Sequence, residues 1–300
     1  MRPGWFALLA LLALPAVTSL EAQETVTRVV PADPDVSIRI FNLTGGTHIT
    51  GWDGDSVRVR ATIPKGAGHF FMGGAHAGIK LGVESDERLD APGAELDIQV
   101  PRRARVWVKS ASARVTVQDV TGELDLASVS GDIRVSGAPR VITAESMDGT
   151  IDVRADAAIT RIKTADGPIS IIGRGGDLTV SSVSGAILIR ATRDVISARI
   201  ESVTGRVTFE GPVAQEGNLD IQTHEAPVTL ALPGEQGATL EVVAFSGKVM
   251  NGFPEARRRA VAGQPVRYTL GSGGARITVR SLKGGVTIRR LERAGASNAP

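Results

Sequence analysis

A chain of 300 residues, 42% hydrophobic but only 4% aromatic, is long enough to bury an aliphatic core and has few rings to place in it. Its 34 basic and 32 acidic residues leave a net charge of +2, which argues against a protein whose main task is to hold nucleic acid. The absence of cysteine excludes disulfides and a lipid anchor on an N-terminal Cys, so stability must come from packing and backbone hydrogen bonds.

The first 22 residues read as a secretory signal. Arg2 supplies a positive start, Trp5 to Val17 is nearly all apolar, and Leu20-Glu21-Ala22 offers a cut ahead of Gln23. The apolar run falls short of the roughly 20 residues that span a bilayer. An uncleaved anchor is the alternative reading. Once the signal is removed no membrane span remains, so the chain is expected in the periplasm, at the cell surface or outside the cell.

Residues 23–100 are expected to form an N-terminal β region and cap. Around Gly45 the inward places are Ile38, Ile40, Asn42 and Ile49, and Ser56 to Ala61 alternates as SVRVRA. Gly66 to Gly78 breaks the period and reads as an irregular loop. It holds His69, Met72 and His76, a soft or borderline donor set that makes these three the candidate metal ligands. No thiol or carboxylate accompanies them, so the expectation is no metal and no cofactor.

From 101 to 291 the chain repeats. The unit SVSGDIRVSG at Ser128 to Gly137 returns as ESMDGTIDVRA, KTADGPISIIG, SSVSGAILIRA and ESVTGRVTFEG. With the turn residue as marker, the series is Ala113, Gly131, Gly149, Gly167, Gly185, Gly205, Ala226, Gly247 and Gly284. Four steps of 18 residues are followed by 20, 21 and 21, and by a last step of 37 that implies an insertion or a further coil.

The columns define the unit. Two and four places after the marker stand mostly Val and Ile, as in Ile133 and Val135 or Ile151 and Val153, with a polar residue between. Seven and five places before it stand pairs such as Leu124 and Leu126. Each copy therefore carries two short strands, each with one buried face. The columns keep their character from copy to copy, as strands stacked on their equivalents require. The fold class read from this is all-β: a parallel β-solenoid of about 18–21 residues and two short strands per coil. The structural turn residues are Gly131, Gly149, Gly167, Gly185, Gly205, Gly247 and Gly284, where glycine relieves the turn of a Cβ and permits positive φ.

Three places before the marker runs a column of small residues, Ser110, Ser128, Ser146, Thr164, Ser182, Ser202, Thr223, Ala244 and Ser281. Their hydroxyls are expected to satisfy backbone groups at the corner rather than to act as nucleophiles. On the outer face Glu145 and Lys163 should be neighbours on adjacent coils. Arg257 to Arg259 read as a solvated loop, and 292–300 as a disordered tail. Trp107, Leu188 and Met250 are outward exceptions to the pattern.

The stretch LDIQVPRRARVWVKSASARVTVQDVTGELDLASVSGDIRVSG resembles the DUF4097 group of bacterial exported proteins, which carry an adhesin-like domain. Their chains share a P-x-x-A-x-V-x-V strand followed by VSGDIxV units, and the resemblance runs from about Val36 to Leu291. It implies a β-helix-like fold and an envelope location, and it brings no catalytic residues. The later coils depart from the motif at Ala226-Pro227 and between Asn251 and Gly273.

Two functions from different classes follow. One is a non-enzymatic envelope or surface rod, adhesin-like or a scaffold, that presents its face to a glycan or a surface protein. The other is a carbohydrate-active solenoid enzyme, for which outward Asp132, Arg134 and Asp152 are the nearest approach to a site although they alternate like ladder pairs. A module sensing envelope stress through a partner is a third. The calcium β-roll pattern is missing, because the Asp residues do not recur in it.

Overall fold

The computed structural model describes residues 23–84, 92–259 and 265–291. The segment read as a signal at 1–22, the one read as a tail at 292–300 and residues 260–264 of the late insertion lie outside the described residues. The described chain is all-β, with 25 strands and no helix. Two ladders form a solenoid, one from the strands before each marker and one from the strands after it.

The predicted columns set the register. In the post-turn ladder Ile133, Ile151, Ile169 and Ile187 are direct partners on successive coils. In the pre-turn ladder Leu124, Ile142, Thr160 and Leu178 are. These residues are at most 3% exposed. Two aliphatic columns from each ladder thus meet as a continuous core. In each ladder the described residues supply eleven parallel strands. At about 4.8 Å per strand the parallel stack is about 48 Å long.

The marker glycines correct the sequence reading in one respect. None of the seven adopts positive φ. Their constraint is proximity: a Cβ on Gly149, Gly167, Gly185 or Gly205 would lie 2.0–2.2 Å from the carbonyl oxygen of the marker one coil before. The turns stack backbone on backbone, and at these four markers only glycine leaves room. Gly167→Ala is expected to cost about 1–3 kcal/mol, since a backbone oxygen cannot swing aside as a side chain can. Gly78→Ala, which meets nothing within 4 Å, is the control, read from denaturant midpoints.

The hydroxyl column sits at the corner. Ser128 Oγ accepts from Gly131 N at 2.9 Å and Ser146 Oγ from Gly149 N at 3.0 Å. Thr164 Oγ1 donates to Met147 O at 3.1 Å, and Ser281 Oγ to Gly284 O at 2.8 Å. Asn42 takes the same place in the first coil. Its amide donates to Gly46 O at 2.9 Å and Ala94 O at 3.0 Å.

Coils do not stack in chain order at the ends. The first coil, Ser37 to Phe41 with Gly45–Trp52, lies between the coil of His69–Glu84 and Ala94–Pro101 and that of Arg105–Lys109 and Arg114–Gln118. At the other end Ala275–Ser281 enters between Val213–Thr223 and Ala238–Ala244, and Val286–Arg290 between Val228–Leu232 and Val249–Asn251. The glycines record this order. A Cβ on Gly284 would strike Ala226 O at 1.9 Å, and one on Gly247 would strike Gly284 O at 2.0 Å. The 37-residue step is therefore a return: the chain makes the outermost coil, turns through an antiparallel extension, and inserts its last coil beneath.

Antiparallel strands finish both ends. Gln23 to Pro31 pairs with Ser56–Pro64, which also pairs with Ala94–Pro101. Val266–Leu270 lies against Ala238–Ala244, with Arg257–Arg259 outside it. The segment read as an irregular loop at 66–78 is instead largely strand, since His69–Glu84 forms the outer strand of the pre-turn ladder. Arg257–Arg259 is likewise strand rather than loop. Its three exposed arginines sit on a sheet edge, where charge discourages further strand pairing.

Candidate functional site

Two depressions on the rod carry side chains that the stacking does not use. The longer lies beside the corner. Two places before each marker the side chain points to solvent, and this column reads Val129, Met147, Ala165, Val183, Val203 and His224, then in spatial order Leu282 and Phe245. Val129 is 48% exposed, Met147 56%, Val183 51% and Val203 43%. Among the described residues nine large apolar side chains are exposed, and six of them belong to this one column. Scattered exposure needs no explanation, but alignment into a ridge does.

The ridge borders a groove of about 730 Å³ that follows six coils, a run of about 24 Å. Its polar wall is the column four places before the marker: Glu145, Lys163, Ser181, Glu201 and Gln222. Glu145 and Lys163 are in register as expected. Glu145 and Glu201 are three coils apart, about 14 Å. Paired carboxylates in glycoside hydrolysis sit about 5–9.5 Å apart.

The second depression, of about 540 Å³, lies on the outer face of the pre-turn ladder near its N-terminal end. Phe41 and Trp107 meet edge to face, with centroids 5.2 Å apart, and Phe71 lies 6.5 Å from Phe41. Lys80 Nζ sits 4.9 Å from the Phe41 ring centre. Register puts Arg39 beside Trp107, and Trp107 beside Asp125. Arg105 and Glu123 complete the rim, with Glu123 paired to Arg140. Burial, helped by Glu145, raises the Asp125 carboxyl above the usual carboxylate range.

The other sequence candidates are placed as follows. His69 and His76 are exposed on their strand, Met72 packs against the core, and His76 Nδ1 lies 3.5 Å from Asp33. The odd separation of His69 and Met72 points them to opposite faces. Among the described residues no three His, Asp or Glu converge as a metal site. Arg134 pairs with Asp132 at 3.0 Å and Arg154 with Asp152 at 3.3 Å, each along its own strand. Leu188 is half-buried and Met250 is exposed near the outer end. Of the outward exceptions, Trp107 lines the second depression. The ridge escaped the sequence reading because residue type does not tell an exposed Val from a buried one; its signal was the recurrence of Val or Met two places before the marker.

No family model matches the chain, and no curated protein matches it. Among solved structures it is similar to a "putative adhesin" from Bacteroides fragilis NCTC 9343, at 10% identity over 90% of this chain and 99% of that one, with a TM-score of 0.45. It is also similar to a "putative cell adhesion protein" from Clostridium sporogenes ATCC 15579, at 8% identity over 89% and 100%, with a TM-score of 0.27. Neither likeness assigns a residue or a ligand to this chain.

Proposed function

We propose that the chain is an exported, non-enzymatic β-solenoid of the DUF4097 type, which binds an extended envelope or surface component along its groove. The observation that carries this reading is the ridge from Val129 to Phe245, six exposed apolar side chains that share one column with half-buried Ala165 and exposed His224, held there by coils that stack without their help. Association buries apolar surface that water otherwise faces, at about 25 cal/mol per Å² before the costs of ordering. A straight groove with one wall apolar and the other polar suits a linear partner lying along the rod. The signal-like first 22 residues and the VSGDIRV units support export and family. Under this reading residues 101–291 are the binding rod, and 23–100 its N-terminal part and cap.

The test is binding of the exported protein to an envelope fraction, with Val183→Glu combined with Val203→Glu as the variant. Both positions are about half exposed, so the melting temperature should hold while binding falls at least about tenfold. Undiminished binding would remove the groove from the proposal. Release of reducing ends from an envelope glycan would overturn the non-enzymatic part and favour the carbohydrate-active alternative.

A further inference from the structure

The aromatic patch differs from the groove in not repeating. The chain has 3 Trp, 1 Tyr and 7 Phe, and three of these eleven rings gather at Phe41, Phe71 and Trp107 on one outward face. A core poor in rings has not spent them on packing here. Cations surround them. Arg39 shares a column with Trp107, Lys109 is the register partner of Phe41, Arg105 stands two residues before Trp107, and Lys80 lies over Phe41 and Phe71. Among the described residues none of these four makes an ion pair, whereas Arg280, Arg267 and Arg190 on other coils do. Of the two acids on the rim, Glu123 is already neutralised by Arg140. Asp125 is left as the rim acid without an ion-pair partner among the described residues.

We infer that this patch is a second binding site, for a carboxylated polysaccharide of the uronic-acid type. The inference rests on the proposed surface location and not on the groove. Aromatic faces take the apolar C–H side of a pyranose, and guanidinium forks match carboxylates bidentately. Asp125, with Ser37 and Thr143 nearby, offers hydrogen-bond partners to sugar hydroxyls. The near-balanced charge of the whole chain, +2, sets a glycan ahead of a single-stranded nucleic acid on a basic, ring-lined surface. The arrangement also fits a linear ligand, because Arg39, Trp107 and Asp125 stand on consecutive strands at about 4.8 Å intervals.

The experiment is calorimetric titration of the full chain with polygalacturonate, and with neutral pullulan and single-stranded DNA as comparison probes. Polygalacturonate is expected to bind, and to weaken as salt screens the cations. Trp107→Ala, and separately Arg39→Ala with Arg105→Ala, should each weaken it at least about tenfold. The arginine variant alters only exposed side chains, so it still tests the site if loss of Trp107 disturbs packing. Arg199→Ala, in the same outward column on a distant coil, should leave binding unchanged. Equal affinity for pullulan, tighter binding of DNA, or no loss in the arginine variant would overturn the inference. Failure here with a positive result for the Val183 and Val203 variant would leave the groove reading standing.

Discussion

Ile151→Asp is expected to abolish cooperative unfolding of the rod at temperatures where the parent is folded. Ile151 is 0% exposed and lies in register between Ile133 and Ile169. An ionised carboxylate there would face aliphatic columns above, below and across, with no cation to pair with. Burying an unpaired charge costs several kcal/mol, against a total stability of about 5–15 kcal/mol for a typical domain. In a solenoid each coil is held by its neighbours, so the break should first uncouple the two halves and appear as two separate transitions. Arg134→Ala removes a surface pair with Asp132 and should change stability by about 1 kcal/mol or less. Equal melting temperatures for the two variants would refute the column assignment.

Ending the chain at Gly274 is expected to do far more than shorten the rod by one coil. Strands Ala275–Ser281 and Val286–Arg290 each pair on both sides. Their loss would unseat Ala238–Ala244 and Val249–Asn251, and leave Leu219, Ile221, Val228 and Leu230 at an open edge. Ile277, Val279, Val286 and Ile288 are each at most 1% exposed. At about 1.5–3 kcal/mol per buried side chain, the direct loss is about 6–12 kcal/mol as an upper figure. Size-exclusion chromatography should show self-association through the bare edge, and proteolysis should remove residues beyond about Ala226. A truncated chain as monomeric and as heat-resistant as the parent would contradict the inserted order.

Most of the fold was legible because every coil repeats the same physical requirements. A buried face two residues in period, a hydroxyl at the corner and a small marker recur often enough to be read down columns. The order of the last coils was not legible, for the same reason. Val249 and Val286 occupy equivalent columns, so either coil could have followed Ala226. Gly66 to Gly78 looked irregular because much of that edge strand has no buried face to impose alternation. The marker glycines were read as relieving a Cβ and as permitting positive φ; the first holds, as contact with a stacked carbonyl, and the second does not. The aromatic patch required knowing that Phe41 stacks beside Lys109, 68 positions further along the sequence, which no local period encodes.

The inserted C-terminal coil gives folding a finishing condition. A rod stacked in chain order would be complete at every stage of its emergence from a ribosome or an export channel, with one coil after another laid down. Here a segment made after the outermost coil belongs beneath it, so that coil and the edge strands beyond it have no seat until residues 275–290 arrive. Closure of this end therefore waits on residues 275–290. A product interrupted before that point retains a sticky end, open to proteases and to other unfinished copies, while a finished one is latched.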